Sequence, residues 1–426
     1  MSLKIFQPKM RLCLYLLMSI SLLAIETGIA KPVTYYNYKS LRKHLMSLGK
    51  QDPNLVRVDD IAQSIGKWKI WAIEVGKGTE ECRKKRPAIL VVAGIEGNDL
   101  IGTSIAVSWL EQLINQYKTD NTITKLLNTT TIYMIPRVNP DAIEKFFIKP
   151  KLETSVNDKP VDDDHDGLVD EDGPEDLNED GLITWMRVKD KEGDYILDPE
   201  DDRLLLKADP LKSEIGAWRY MSEGVDNDKD EQWNEDGLGG VNFNRNFPFN
   251  YEFFAEDAGV HQVSEVQTRA LAEFVIDHPN IGVIITYGAA DNLLKIPTGA
   301  STPSRRKPMT AIDKEDVDYY RVMGELYREE LGLSKELDTT SYPGTFSDWM
   351  YFHRGRLSLA SRPWSLTLAT ELFKPAEKEE KGEKEKTKDN DEKKEKTDSK
   401  KEKDKRNKTE REQLKWLNEN APKSFI

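Results

Sequence analysis

The clearest pattern in the chain is a short apolar run that ends in a polar turn and is followed by a helix-like repeat. The apolar run is ILVVA, which starts at residue 89, and the turn is GIEGND. In the next stretch, IGTSIAVSWLEQLINQY, apolar residues recur with the spacing of one helix face. In units of strand, turn and helix, polar side chains just after the strand face the ligand crevice. The pattern therefore predicts that Glu96, Asn98 and Asp99 lie at a functional site.

Further strands and helices are predicted on both sides of this unit. Residues 35–78 predict a helix, a turn and two strands, and residues 130–135 predict a strand that leads into the turn Asn-Pro-Asp. An amphipathic helix is predicted from Ser264 onwards, followed by another apolar strand. A chain of 426 residues with 38% hydrophobic content suits one large α/β domain with insertions, or two domains.

The net charge and the composition of the first 30 residues limit the classes of protein to which this chain can belong. The formal net charge of −13 argues against a nucleic-acid partner, because a phosphate surface would repel the chain. Residues 1–30 have the basic start, apolar centre and small-residue end of a signal peptide, which predicts a secreted or periplasmic protein. A retained N-terminal anchor is the alternative, and no other membrane contact is expected. Cys82 is the only cysteine after residue 30, so no internal disulfide is expected.

The central turn is similar to the metal-binding turn of the zinc carboxypeptidases of the carboxypeptidase A type. The pattern of that family is G-x-H-G-N-E, in which the histidine and the glutamate are two of three zinc ligands. Glu96 and Asp99 occupy these two positions here. The third ligand is a histidine in H-S-Y-G or H-T-x-G, and the matching sequence ITYG has Ile285 in its place. The resemblance therefore implies a zinc cofactor, whereas the residues at its ligand positions are altered.

Two further motifs resemble the substrate-binding and catalytic segments of the family. GGVNFNRNFP is similar to G-x-D-L-N-R-N-F-P, which implies that Asn244 and Arg245 grip the terminal carboxylate of a peptide. A structural salt bridge is the alternative for Arg245. The last segment matches a mobile tyrosine at Tyr342 and a general base, Glu371, on the predicted strand SLTLATELF. A family arginine that polarises the scissile carbonyl has no clear counterpart.

The resemblance implies an α/β fold with a mixed, mostly parallel sheet flanked by helices and interrupted by an acidic loop insertion. The carboxypeptidase-like domain is expected to span residues 31–373, with the Asp-rich insertion at 157–240. Residues 374–412 are almost entirely lysine and acidic residues, which predicts a disordered segment or a lone charged helix. The more apolar residues 413–426 are expected to dock back on the domain.

The insertion carries acidic repeats that resemble the beginnings of calcium loops. Alternating aspartates turn several oxygens inward on one loop, and calcium takes six to eight oxygen ligands. A solvated acidic loop is the alternative, because the loops lack the bidentate glutamate of an EF-hand. The candidate calcium ligands are Asp162, Asp164, Asp166, Asp176, Asn178, Asp180, Asp226, Asp228 and Asp230.

Three functions are compatible with the sequence. The first is a secreted carboxypeptidase-like protein without conventional zinc catalysis that binds the C-termini of peptides or proteins through Asn244 and Arg245. The second is an active metallocarboxypeptidase with an atypical site, in which Asp291 joins Glu96 and Asp99 around an oxygen-preferring metal and Glu371 acts as the base. The third is a calcium-stabilised structural or interaction module.

Overall fold

The structure, a computed structural model, describes residues 33–162, 167, 169–170, 172–227, 234, 239–300, 309–339, 342–372 and 409–420. Several predictions lie outside these residues. They are the signal peptide, most of the charged segment 374–412, and Asp164, Asp166, Asp228 and Asp230 of the predicted calcium loops.

The strands of the described residues form one large sheet and three smaller ones. In chain order they are β1 (Val56–Gln63), β2 (Lys69–Val75), β3 (Ala88–Val92), β4 (Thr131–Ile135), β5 (Lys151–Leu152), β6 (Leu182–Ile183), β7 (Trp185–Lys189), β8 (Tyr195–Leu197), β9 (Leu205–Lys207), β10 (Trp218–Ser222), β11 (Ile281–Tyr287), β12 (Gly299–Ala300), β13 (Ile312–Asp313) and β14 (Leu357–Ser361). The large sheet has the order β1-β2-β4-β3-β11-β14.

The described residues also form α-helices, several of which flank this sheet. They are α1 (Tyr38–Gln51), α2 (Glu80–Lys85), α3 (Leu100–Gln116), α4 (Asn121–Thr129), α5 (Pro140–Lys145), α6 (Val266–Asp277), α7 (Val317–Leu331), α8 (Phe346–Phe352) and α9 (Leu366–Leu372). A further helix covers 409–420. No helix of the described residues combines the length and the apolar character that crossing a membrane requires.

The pairing directions confirm the predicted mixed, mostly parallel sheet. The pairs β4 with β3, β3 with β11, and β11 with β14 are parallel, whereas β1 with β2 and β2 with β4 are antiparallel. Every residue of β3 and β4 is buried, as expected for strands covered on both faces. Apolar residues of α6 and α8, among them Leu271 and Phe346, share one core cluster with Leu90 of β3. The polar turn after β3 therefore begins at the end of a fully packed strand.

The described residues separate into two compact units. The larger falls within Met1–Thr184 and Ser222–Pro363, and contains the large sheet. The smaller falls within Trp185–Met221 and Trp364–Ile426. It contains a four-stranded sheet of order β7-β10-β8-β9, in which β10 pairs with β8, and β8 with β9, in antiparallel fashion. The predicted acidic loop insertion thus includes a sheet of its own.

Arg411, in the helix 409–420, makes two ion pairs inside this smaller unit. Arg411 donates two hydrogen bonds to the carboxylate of Asp198, at 2.8 and 2.7 Å, and pairs with Glu200 at 2.5 Å. Asp198 is only 2% exposed, so this bidentate pair holds the start of the helix to the loop after β8. The described part of the C-terminal segment is therefore helical and begins before residue 413.

Candidate functional site

Glu96 lies in the turn after β3 and is only 5% exposed. Its Oε1 accepts a hydrogen bond from Asn244 Nδ2 at 2.9 Å, and its Oε2 accepts one from the backbone N–H of Ala289 at 3.2 Å. Burial, and after it the charge of Asp99, raises the pKa of Glu96 to about 7, against the effect of these hydrogen bonds. Both carboxyl oxygens of Glu96 are thus used within the protein.

Asp99 is the second altered ligand position and the N-cap residue of α3. Its Oδ2 is buried and has no hydrogen-bond partner among the described residues. Burial raises the pKa of Asp99 to about 6, while the backbone N–H of Gly102 and the charge of Arg362 act in the opposite direction. Glu96 is buried and Asp99 is half-buried, and the pKa values of both carboxyls are raised, an arrangement that is common at functional sites.

Ile285, at the third ligand position, lies in the middle of β11 and is fully buried. It stands in register with Val91 of β3 and Leu359 of β14. Its side chain is a hydrocarbon and cannot coordinate a metal. Among the described residues, no three histidine, cysteine, aspartate or glutamate side chains are grouped so that they could hold a metal ion. The three expected ligand positions therefore do not fit zinc, which requires nitrogen, sulfur or oxygen donors from at least three side chains.

Asp291 does not complete an oxygen-ligand site with Glu96 and Asp99. Its Oδ1 accepts the backbone N–H groups of Leu293 and Leu294, at 2.9 and 2.7 Å. Its Oδ2 accepts the backbone N–H of Arg362 at 2.8 Å. This carboxylate ties the loop after β11 to the end of β14, which is a structural task.

Asn244 is held by hydrogen bonds at both ends of its side-chain amide. Nδ2 donates to Glu96, and Oδ1 accepts the backbone N–H of Phe346, the first residue of α8, at 3.0 Å. The residue is 5% exposed and belongs to the short 3-10 helix Phe243–Arg245. Asn244 therefore links the turn after β3 to the start of α8.

Arg245 is paired with two carboxylates from the loop that follows it. Its guanidinium contacts Glu252, and its Nη1 lies 2.6 Å from Asp257 Oδ1. Burial raises the pKa of Asp257, and the charge of Arg245 opposes that rise. The predicted carboxylate-binding residue thus holds carboxylates of its own chain. Sequence reasoning missed both partners, although the acidic loop YEFFAED directly follows the NFNRNFP motif.

The segment that carries Tyr342 runs beside Arg245. Gly344 accepts the backbone N–H of Phe247 at 3.0 Å, and a Cβ on Gly344 would lie 2.4 Å from the carbonyl oxygen of Arg245. Tyr342 itself is half-buried and lies just before this contact. The structure therefore brings together the segments of Glu96, Asn244, Arg245 and Tyr342.

Glu371 does not lie on a strand, so that expectation is wrong. Leu366–Leu372 is the helix α9, in the smaller unit. Ser365 starts the helix: its Oγ accepts the backbone N–H of Leu368 at 3.1 Å, as an N-cap serine does. The strand before it, β14, ends at Ser361. The alternating Leu and Thr residues suggested a strand, but the serine cap and good helix formers such as Leu, Ala and Glu favour a helix. The role of Glu371 as a base stays a prediction.

The described calcium-loop candidates form a tight turn with converging side-chain oxygens. Asp176 Oδ1 and Asn178 Oδ1 both accept the backbone N–H of Asp180, at 3.1 and 2.9 Å. Asp176 Oδ2 accepts the N–H of Gly181 at 2.8 Å. Of the other two loops, Asp162 and Asp226 are described, and Asp162 Oδ2 accepts the N–H of Gly167 at 3.1 Å. These hydrogen bonds arise within single loops.

Comparison with known proteins identifies the family. The family model described as zinc carboxypeptidase matches residues 41–159 and 214–387, which is more than half of the chain. The chain therefore belongs to the zinc carboxypeptidase family, whose members act on peptide C-termini and whose name implies zinc. The predicted resemblance is confirmed.

Curated relatives match over short stretches. Carboxypeptidase D of Anas platyrhynchos is 32% identical over 123 residues, which are 29% of this chain and 9% of that protein. Carboxypeptidase D of Homo sapiens is 32% identical over 26% of this chain and 8% of that protein, and carboxypeptidase M of Mus musculus is 26% identical over 26% and 25%. The matches thus span a quarter or less of these relatives.

Solved carboxypeptidase structures are similar only at a distance. Carboxypeptidase A from Helicoverpa armigera has a TM-score of 0.49 at 11% identity, covering 83% of this chain and 70% of that one. Thrombin-activatable fibrinolysis inhibitor has a TM-score of 0.46 at 16% identity, covering 77% and 68%.

Proposed function

We propose that this protein is a secreted member of the zinc carboxypeptidase family that binds peptide or protein C-termini without conventional zinc-dependent hydrolysis. The observation that carries the proposal is the commitment of Glu96, at a zinc-ligand position, to Asn244 and the backbone of Ala289. The isoleucine at the third ligand position supports the same conclusion. Zinc would supply a polarised carbonyl and an activated water in this family, and the residues at the three expected ligand positions do not offer it a site.

Arg245 supports the binding part of the proposal. Arginine offers a planar fork that matches a carboxylate. Its side chain is 27% exposed, and its partner Glu252 is 51% exposed, so an incoming carboxylate reaches the pair from solvent. The C-terminal carboxylate of a peptide then replaces Glu252, while Asp257 keeps its contact with Nη1. Asn244 links the turn after β3 to the start of α8, and both ends of its side-chain amide already have a partner within the protein.

The proposed secretion and the proposed calcium binding rest on the sequence. Residues 1–30 direct the protein out of the cytoplasm, and calcium stabilises the Asp-rich insertion. The converging oxygens of Asp176, Asn178 and Asp180 support the second part, because calcium prefers several oxygen ligands from one loop.

The test uses the full mature chain and a library of peptides with free C-termini. We expect no release of C-terminal residues in the presence of zinc, and binding of peptides with a free carboxylate but not of the same peptides as C-terminal amides. Arg245→Met should abolish that binding. Release of C-terminal residues that is lost in Glu371→Gln would contradict the proposal and favour an active enzyme. Equal binding of acid and amide peptides would refute recognition of the carboxylate.

A further inference from the structure

The four-stranded sheet of the smaller unit carries a cleft that has no part in the site around Glu96. Its volume is about 430 Å³, and its lining includes Trp185, Glu192, Asp194, Tyr195, Arg219 and Tyr220. All of these residues belong to the smaller unit. The cleft therefore lies within one compact body.

Three aromatic rings form the wall of the cleft. The rings of Trp185 and Tyr220 lie 5.3 Å apart at 49°, and those of Tyr195 and Tyr220 lie 5.0 Å apart at 84°. Trp185 is 71% exposed and Tyr220 is 47% exposed, so large aromatic surfaces face solvent. Rings set at steep angles surround a compact group, whereas a flat ligand would be matched by parallel rings. The geometry favours a rounded ligand group.

The charges of the cleft are mostly negative. Arg219 is the cation of the lining, and its Nε is paired with Asp190 Oδ2 at 2.6 Å, while Glu192 lies at 4.0 Å from Nη2. Asp194 is exposed and makes no side-chain hydrogen bond or ion pair with another described residue. Since Asp190 already neutralises the charge of Arg219, the carboxylates of Glu192 and Asp194 give the cleft an excess of negative charge.

The same sheet holds cations on an aromatic ring elsewhere. Trp218 of β10 has the guanidinium of Arg187 and the ammonium group of Lys189 near its ring, each 5.3 Å from the ring centroid. Among the described residues, no lysine or arginine is placed in this way over Trp185 or Tyr220. The exposed rings of Trp185 and Tyr220 therefore offer faces that attract cations and that no described lysine or arginine occupies.

We propose that this cleft binds an organic ammonium group, either the side chain of a lysine, methylated or not, or a small free quaternary ammonium ion. Aromatic faces attract the cation and its methyl or methylene groups, and Glu192 and Asp194 supply the opposite charge. The inference is independent of the function proposed for Arg245, because it rests on other residues and another kind of ligand.

The test is a calorimetric titration of the full mature chain with three probes. The first is Nα-acetyl-Nε-trimethyl-lysine amide, the second is its neutral isostere with a carbon atom in place of the nitrogen, and the third is choline. We expect the lysine derivative to bind at least about tenfold more tightly than the isostere. A change of Trp185→Leu should weaken its binding about fivefold, the ratio that corresponds to one exposed cation–π contact. Choline distinguishes the sources: equal binding indicates a free quaternary ammonium ligand, and weaker binding indicates a lysine side chain.

Matched variants separate recognition from folding. Trp364 is 53% exposed in the same unit and does not line the cleft, so Trp364→Leu should leave binding unchanged. Asp194→Asn keeps the shape of an exposed side chain, and should weaken the binding of the cation but not that of the isostere. Equal affinity for cation and isostere, unchanged binding in Trp185→Leu, tighter binding of a neutral oligosaccharide that depends on Trp185, or no binding of either ammonium probe would each overturn the proposal.

Discussion

The side-chain amide of Asn244 donates a hydrogen bond to the buried carboxyl of Glu96 at 2.9 Å. In this family the first of these positions is expected to bind substrate and the second to bind zinc. Their direct contact joins the two predicted sites into one internal hydrogen-bond network, which continues through Asn244 Oδ1 to the N–H of Phe346. The network stabilises the fold around the turn after β3 and gives both side chains partners within the protein.

Asn244→Ala tests the energetic weight of this network. The change leaves Glu96 Oε1 without its donor and the N–H of Phe346 without its acceptor, both in a buried region. We expect the free energy of unfolding to fall by about 2–4 kcal/mol, because each buried unsatisfied group costs about 1–3 kcal/mol. Urea unfolding measures the loss. The control is Asn98→Ala, in the exposed part of the same turn, which should change the free energy of unfolding little. A loss below about 1 kcal/mol in Asn244→Ala would show that the network does not stabilise the fold as described.

Glu252→Gln tests whether an internal carboxylate competes with ligands for Arg245. The substitution removes the charge that contacts the guanidinium and keeps the shape of the side chain. We expect peptides with a free C-terminus to bind up to about fivefold more tightly, because an exposed ion pair is worth up to about 1 kcal/mol. Fluorescence anisotropy of a labelled peptide measures the affinity. Glu256→Gln, in the same loop, is the matched control; the same gain in both variants would indicate a general effect of charge.

The carboxyl pair of Glu96 and Asp99 should make stability depend on pH. Their pKa values are raised to about 7 and about 6, so between these values and those of the unfolded chain the folded state holds more protons. The stability that these two groups contribute is therefore fully present below about pH 4 and is lost as the pH rises to about 7. Over this range the free energy of unfolding falls by up to about 1.4 kcal/mol per pH unit for each group.

Asp99→Asn isolates one of these groups. The amide keeps an N-cap residue at the start of α3 and removes the buried charge. We expect the variant to gain stability relative to the natural protein as pH rises from 4 to 8, and thermal unfolding at several pH values measures that gain. Asp120→Asn, at the exposed N-terminus of α4, is the control. A constant difference between Asp99→Asn and the natural protein at all pH values would contradict the raised pKa.

Gly97→Ala tests the close packing of the turn after β3. A Cβ at this position would lie 2.1 Å from the carbonyl oxygen of Thr154 and 2.7 Å from that of Ala142. Both contacts are with backbone atoms that cannot rotate away, so we expect a loss of at least about 3 kcal/mol in the free energy of unfolding. Gly282→Ala on β11 is the control, because a Cβ there has nothing within 4 Å. Equal stability of the two variants would show that the turn is not packed as described.

Calcium should stabilise the insertion through the loop of Asp176, Asn178 and Asp180. The double variant Asp176→Asn/Asp180→Asn neutralises two predicted ligands of this loop. It should lose most of the calcium-dependent rise in unfolding temperature that the loop provides. Calorimetry with and without calcium measures the rise. Asp201→Asn with Asp202→Asn, an acidic pair outside the predicted loops, is the control. If calcium does not change the unfolding temperature of the natural protein, the prediction that calcium stabilises the insertion is wrong.

The sequence predicted the central sheet well because its strands are continuous apolar runs. ILVVA and TTTIYMIP correspond to β3 and β4, and the polar turn between β3 and α3 follows as expected. The elements of the insertion were missed because β7–β10 are short and half exposed, which leaves little apolar periodicity to detect. The alternating neighbours of Glu371 predict a strand, whereas the cap at Ser365 favours the helix that the structure shows.

The sequence predicts which residues belong to the candidate site, but not which of them contact one another. The motifs predict that Glu96, Asn244 and Arg245 belong to one site, and in the structure Asn244 contacts Glu96 and adjoins Arg245 in a short 3-10 helix. The sequence could not predict that Asn244 donates to Glu96 or that Arg245 is paired with Glu252 and Asp257. Such contacts depend on distances between segments far apart in the chain, which local pattern does not fix.

We propose that Glu96, Asp99 and Ile285, at the three expected ligand positions, do not form a zinc site. The direct measurement is the zinc content of the mature protein after equilibrium dialysis against zinc with calcium present, determined by mass spectrometry. We predict no stoichiometric zinc that depends on Glu96 or Asp99, so the natural protein and Asp99→Asn should retain the same amount. One zinc ion per chain that is lost in Asp99→Asn, and retained when Asp176 and Asp180 are replaced, would show that the expected ligand positions do bind zinc.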